Sequence, residues 1–222
     1  MPDYRRFRVP GGTYFFTINL LERRSDLLVR HIDALREAVR RTRRERPFRI
    51  DAWVVLPDHM HCIITLPEDD DDFSNRIKAL KIRFVRAIPA TERRSGARVA
   101  RGERAIWQRR FWEHAIRSDI DYARHMDYVH FNPVKHGYVT FARDWPFSTF
   151  RRLVQAGLYP SDWGAGDMED IPAGEARVGR NATAVPPIAG TDGAEMAFRH
   201  PREAPPFRWV GEWRIAYEDS IG

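Results

Sequence analysis

The sequence predicts an α+β fold: a ferredoxin-like antiparallel sheet with two helices on one face and one further helix C-terminal to it. Three observations carry that expectation. Apolar residues switch repeatedly between the period of a strand and the period of a helix. Two apolar runs are joined by a turn short enough for a β-hairpin. The elements then follow the order strand, helix, strand, strand, helix, strand, helix.

The first strand is Thr13-Tyr14-Phe15-Phe16-Thr17-Ile18-Asn19, aromatic and β-branched, behind the turn signal Gly11-Gly12. Ile32, Leu35 and Val39 recur at helical spacing, which predicts a helix from about His31 to Arg46, closed by Pro47. Phe48 to Leu56 and His59 to Leu66 read as two strands around Pro57-Asp58. Ile77, Leu80, Phe84 and Ile88 mark a second amphipathic helix that Pro89 stops. Residues 89–104 have no period and predict a mobile loop, with a fourth strand expected over Phe111 to Arg117. Ser118-Asp119-Ile120-Asp121 has a capping-box pattern, so a third helix should start there and run to about Asn132. Pro133 and Gly137 are the expected stops.

Of 222 residues, 43% are hydrophobic and 31% charged, enough for one ordinary domain with an appendage or two small ones. No run approaches the roughly 20 apolar residues of a membrane span. Met1 to Pro10 already carries Arg5, Arg6 and Arg8 with no apolar segment behind them, which argues against a signal peptide. The single cysteine, Cys62, excludes a disulfide framework and a cysteine-based zinc cluster, so a reducing, cytoplasmic setting is expected. Net charge is +6, but unevenly spread: residues 1–163 hold 31 basic and 21 acidic side chains, residues 164–222 hold 6 and 10. A basic body points to nucleic acid as the first partner to test. The expected division is a body of residues 1–163 and an acidic, Gly/Pro-rich tail of residues 164–222, disordered or loosely docked.

His59-Met60-His61 is the first chemical element. Side chains two apart in a strand share a face, so both imidazoles project together while Met60 and Cys62 turn away. Two imidazoles suit a divalent metal if a third ligand comes from elsewhere, although a packing pair is the commoner meaning of so short a pattern. The third helix supplies the second element. Tyr128 and Asn132 are four apart, and His125 precedes Tyr128 by three, so the three share a face. A phenol with a pKa of about 10 is a poor nucleophile unless a nearby cation favours its anion. A metal held by His59 and His61 would be such a cation if this helix packs across that strand; without the histidines a core tyrosine is the simpler reading.

These residues resemble a known family. Leu56-Pro57-Asp58-His59-Met60-His61-Cys62-Ile63, followed by Asp127-Tyr128-Val129-His130-Phe131-Asn132-Pro133-Val134-Lys135-His136-Gly137, is similar to the REP-associated tyrosine transposases, single-tyrosine members of the His-hydrophobic-His nucleases. The likeness extends from Tyr4-Arg5-Arg6 through Trp145-Pro146-Phe147-Ser148 to Tyr159 and Trp163. It implies a metal-dependent endonuclease and strand transferase acting on single-stranded and hairpin DNA of REP type through a 5′-phosphotyrosine intermediate. It implies Tyr128 as nucleophile, His59 and His61 as ligands of magnesium or manganese, Asn132 as the third ligand, and a monomer or homodimer. His125 is a candidate base or orienter beside the phenol. The competing reading is a hairpin DNA or RNA binding module on the same fold, without chemistry.

Single-stranded DNA needs a positive surface with stacking faces. Arg36, Arg40, Arg43 and Arg44 lie on or near one face of the first helix, where plain solvation is the usual explanation and DNA contact the alternative. Trp107, Arg109, Arg110, Phe111 and Trp112 interleave aromatic and basic groups and are the better candidates for base contacts, with a strand of buried aromatics as the alternative. Lys135 could meet a phosphate or the helix C-terminus. The resemblance adds Arg5, Arg6 and Arg8 as readers of a flanking single strand. Glu68 to Asp72 is a run of five acids after Pro67 that suits a solvated, helix-capping loop better than a metal site.

Overall fold

The computed structural model describes residues 6–90 and 104–164; Arg5, nearly all of the expected mobile loop and the tail beyond Gly164 lie outside the described residues. In chain order the elements are β1 (Thr13–Asn19), α1 (Leu27–Arg30), α2 (Ile32–Glu45), β2 (Arg49–Val55), β3 (His59–Thr65), α3 (Phe73–Ala87), β4 (Trp112–Ala115), α4 (Asp119–Lys135), a 3-10 turn (Ala142–Asp144) and α5 (Phe150–Gln155). The strands form one antiparallel sheet in the order β2-β3-β1-β4. This is the ferredoxin-like order expected from the sequence. The short α1 was not foreseen, because four residues are too few to show a period.

Strand alternation divides the sheet residues between two apolar layers. Tyr14, Phe16 and Ile18 of β1 and Met60, Cys62 and Ile64 of β3 face α2 and α3, where Leu35, Val39, Ile77, Leu80 and Phe84 meet them. Phe15, Val54 and Ile63 face the other way and pack on Met126, Tyr128 and Val129 of α4. A bulge between Ile50 and Ala52 resets the alternation, so Ile50 and Trp53 share the first layer although they are three positions apart. One helix pair therefore covers one face of the sheet, and α4 covers the other.

Local chemistry sets the element ends. Gly11 takes φ +65° and donates its N–H to the Asp70 carbonyl at 3.1 Å, a left-handed turn at which a side chain would be strained. The acidic run is the loop before α3: Asp72 accepts from the Asn75 N–H at 3.1 Å as its cap. Asp70 takes both terminal nitrogens of the buried Arg76, at 2.9 and 2.7 Å. Ser118 caps α4 by accepting from the Asp121 N–H at 3.2 Å, as the sequence pattern requires.

The far end of α4 differs from expectation. Pro133 does not end the helix, which continues to Lys135 with the proline inside it. Proline in the last turn forfeits one hydrogen bond, and the turn is held from beyond it. Gly137 at φ +70° donates to the Val134 carbonyl at 2.9 Å, and Tyr138 donates to the Pro133 carbonyl at 2.9 Å. These are the paired bonds of a Schellman cap, and they make Gly137 the stop.

Residues 147–149 then run along the outer edge of β2. Val55 donates to the Phe147 carbonyl at 2.8 Å, and Thr149 donates to the Trp53 carbonyl at 2.9 Å. Thr149 Oγ1 also accepts from the Trp53 N–H at 2.9 Å and lies 3.0 Å from His130 Nε2. The edge of the sheet is thereby covered and tied to α4. Among the described residues no helix is long and apolar enough to cross a membrane.

Candidate active site

β3 carries His59 and His61 on the sheet face that α4 covers, opposite Asn19 and Thr17 of β1. Their rings stand nearly perpendicular, 4.9 Å between centroids. Each is oriented through Nδ1. His61 Nδ1 lies 3.0 Å from Thr17 Oγ1, and His59 Nδ1 lies 2.6 Å from Asp58 Oδ1. Asp58 in turn holds Arg23, with Nε 2.9 Å from Oδ2. These contacts use the Nδ1 side of both rings and leave Nε2 as the nitrogen suited to ligation.

α4 crosses this face. The Tyr128 ring meets the His61 ring edge-on at 5.2 Å and the Phe15 ring at 5.8 Å. One turn later Asn132 donates from Nδ2 to the Tyr128 carbonyl at 3.2 Å. That bond assigns the amide, and Oδ1 is buried with no hydrogen bond to it. Lys135 Nζ stands 5.0 Å from the centre of the Tyr128 ring. At the helix cap the His136 ring stands 5.4 Å from that of His59. The four rings are linked by successive contacts, Tyr128 to His61, His61 to His59 and His59 to His136.

The electrostatics follow from burial and from neighbouring cations. Burial pushes the His61 pKa well below its ordinary value, and the charges of His59, His136, Lys135 and Arg23 push it the same way. His61 is therefore a neutral imidazole, the form that ligates metals. Burial alone would raise the Asp58 carboxyl; the hydrogen bond and charge of His59 and the charge of Arg23 outweigh it and leave the pKa lowered. A buried, neutral imidazole, a second one held by a carboxylate, and a buried amide oxygen accepting nothing are a donor set that fits a divalent cation. Outward from His59 the site opens into a pocket of about 310 Å³ lined by residues 23–26 and 57–59 with His136 and Tyr138.

The other sequence candidates lie elsewhere. His125 is buried against Phe15 at 4.8 Å, stacks on His114 at 4.7 Å and places Nδ1 3.0 Å from Asp121 Oδ1. Burial holds its pKa below the ordinary value. His114, Asp121 and His125 bring three possible ligand atoms within 4.8 Å of one another. The two imidazoles are nearly parallel, however, 14° apart, so their in-plane lone pairs do not converge. The cluster works instead as a clasp in which Asp121 joins β4 to the first turn of α4.

Arg6 lies over the Phe111 ring at 4.4 Å and pairs with the buried Glu113 at 3.3 Å, while Arg8 pairs with Asp71 at 3.3 Å. On α2, Arg36 and Arg40 pair with Asp33 and Glu37 one turn back, and Arg43 donates to the Phe48 carbonyl at 2.9 Å. Arg44, Arg109 and Arg110 are exposed. Trp107 packs on Phe84 at 5.4 Å and donates to the Lys81 carbonyl at 3.2 Å. Trp112 packs edge-on against Phe15 at 5.6 Å. Cys62 is fully buried in the α2–α3 layer, and burial raises its thiol.

Asp58, Arg23 and His136 were not singled out from the sequence. Asp58 directly precedes His59, and His136 continues the four-residue spacing of Tyr128 and Asn132. Arg23 carried no signal of its own.

Residues 13–132 match the IS200-like transposase family. A REP-associated tyrosine transposase of Escherichia coli K12 is 54% identical over 175 residues, 79% of this chain and 98% of its own. A Haemophilus influenzae protein provisionally given the same name is 48% identical over 165 residues, 74% of this chain and 94% of its own. A solved structure of a REP-associated tyrosine transposase bound to a REP hairpin superposes with a TM-score of 0.67 at 53% identity, covering 81% of this chain and all of the other. With a family match across the sheet and α4, and relatives of this identity over nearly their whole length, the chain belongs to the REP-associated tyrosine transposases of the IS200-like family.

Proposed function

We propose that this protein cuts and rejoins single-stranded DNA beside a REP-type hairpin in the cytoplasm, with Tyr128 as nucleophile and a divalent metal held by His59, His61 and Asn132. The observation that carries the reading is the edge-on contact of the Tyr128 and His61 rings at 5.2 Å, which joins a helix to a strand more than sixty residues away in sequence. The hairpin bound in the related structure supports the same choice of substrate. Magnesium or manganese in this set supplies charge neutralisation at the scissile phosphate and a fixed template for it.

The chain's own residues do the rest. Asp58 holds the His59 ring and Thr17 holds that of His61, so neither must reorganise on binding. Lys135 and Arg23 place positive charge near His61, which attracts the phosphodiester. Lys135, 5.0 Å from the phenol ring, favours its anion. The Tyr128 oxygen attacks phosphorus, the bond from phosphorus to the 3′-oxygen breaks, and the phenol's proton is balanced by the one gained on the new 3′-hydroxyl. The 5′-phosphotyrosine conserves the phosphoester, so a 3′-hydroxyl can reverse the step without ATP.

The test is a denaturation-resistant adduct between the chain and a hairpin oligonucleotide carrying a single-stranded flank, in the presence of manganese. Wild type forms it. Tyr128→Phe does not, while its hairpin affinity stays within about twofold. A wild-type chain that binds the hairpin but forms no adduct is a binding module without chemistry. Cleavage that survives Tyr128→Phe belongs to an activated water and removes the phenol from the mechanism.

A further inference from the structure

The phenol and the pocket meet different histidines of the site. Tyr128 stands against His61, whereas His136 stands against His59. An in-line displacement places the departing oxygen opposite the attacking one. The pocket of about 310 Å³ is lined by His59 and His136 but by neither Tyr128 nor His61, so it is open to the departing strand rather than to the attacking phenol. That volume is at the lower limit of ordinary ligand sites, which suits a single nucleotide unit.

The lining has the chemistry of a strand end. Tyr138 is 44% exposed and is backed on one side by the Trp145 ring at 5.2 Å, 30° from parallel. Trp145 is itself anchored by its indole N–H donating to the Val55 carbonyl at 2.9 Å. The Schellman cap at Gly137 turns Tyr138 out of the helix and into this stack. An aromatic held from behind, with part of its surface in solvent, is a stacking platform for a base. Of the acids in the lining, Asp58 is tied to Arg23 and His59, and Asp26 is tied to Arg30. Arg24 is an exposed lining residue and takes no part in the His59 set; an exposed guanidinium there suits a backbone phosphate.

We propose that this pocket is a nucleotide subsite for the strand end that bears the 3′-hydroxyl, with Tyr138 stacking its terminal base and Arg24 holding a phosphate. The inference rests on the proposed strand transfer for its purpose, but not for its measurement. In cleavage the pocket retains the leaving strand after the bond from phosphorus to the 3′-oxygen breaks. In rejoining it presents the same hydroxyl, or that of a second strand, to the phosphotyrosine: the new bond from oxygen to phosphorus forms, the tyrosine–phosphate bond breaks, and the hydroxyl proton is balanced by the one returned to the phenol. Retention explains how a cut strand remains available for joining in a site with a single tyrosine.

The experiment uses the full chain with Tyr128→Phe, so that no covalent step intervenes, and fluorescently labelled dTTTT and dAAAA with free 3′-hydroxyls at low salt. Anisotropy gives the Kd. Tyr138→Ala in this background should raise it at least fivefold, the low end for losing one stacked base. Arg24→Ala should raise it less at high salt than at low salt. Tyr138→Phe keeps the ring and should bind within twofold of the parent, which separates stacking from damage to the helix cap; the melting temperatures check the fold. An unchanged Kd in Tyr138→Ala, or a Tyr138→Phe chain as weak as Tyr138→Ala, overturns the assignment. Because the readout is binding alone, absence of a covalent adduct in the wild type would defeat the strand-transfer reading and leave the subsite measurement standing on its own result.

Discussion

Asn132 donates its side-chain N–H to the carbonyl of Tyr128, one turn earlier on the same helix, at 3.2 Å. The bond turns the amide so that its oxygen is buried and accepts nothing, a costly arrangement unless something binds that oxygen. It also makes the position of the oxygen dependent on the backbone that carries Tyr128, the proposed nucleophile. Replacing Asn132 by Leu, of similar volume, should remove manganese-dependent adduct formation while stabilising or sparing the fold. Thermal melts and adduct yield across a manganese titration read both effects.

Asp58 fixes the ring of His59 through a 2.6 Å contact to Nδ1. Asp58→Asn weakens the acceptor and the charge that orients the imidazole. Loss of such a supporting carboxylate costs about 10–100-fold in metal affinity. The manganese concentration for half-maximal adduct formation should rise by that factor, with the hairpin Kd unchanged.

Lys135 contributes charge beside the phenol ring rather than a ligand. Lys135→Met should slow adduct formation at saturating DNA by about tenfold, equivalent to about 1.4 kcal/mol of transition-state stabilisation. Lys135→Arg should recover most of the rate. A rate identical in wild type and Lys135→Met would show that the ammonium acts only on the helix C-terminus.

His130 is fully buried, with Nε2 3.0 Å from Thr149 Oγ1, and burial pushes its pKa down from 6.5 to about 3. Between those values the unfolded chain takes up a proton that the folded chain refuses. Stability from this group is therefore complete above about pH 6.5 and falls as the pH drops toward 3. The slope is at most ~1.4 kcal/mol per pH unit. Denaturant melts at pH 7, 6 and 5 should show a shallower acid loss in His130→Asn than in wild type.

Tyr159 donates to Asp127 Oδ1 at 2.7 Å and packs edge-on against His130 and Trp163, closing the C-terminal segment over α4. Tyr159→Phe keeps the ring and removes the hydroxyl. A hydrogen bond to a carboxylate is worth about 1.5–3 kcal/mol, and the loss should appear in equilibrium unfolding. A change below ~0.5 kcal/mol would mean that ring packing alone holds the segment.

The sequence by itself determined the elements and their faces. Strand alternation put His59 and His61 together and sent Met60 and Cys62 to the opposite layer, where both are buried. Ser118 announced the start of α4, and four-residue spacing aligned Tyr128 with Asn132. Pro133 was a misleading signal, because a proline in a last turn is tolerated when the glycine cap beyond it supplies the closing bonds. Only the tertiary structure decided that α4 crosses β3 at Tyr128, that Arg23 reaches Asp58, and that His125 turns to Asp121 and His114. The reason is range: periodicity is local and names the face a side chain takes, whereas the element that face meets depends on packing between segments far apart in the chain, which no short pattern encodes.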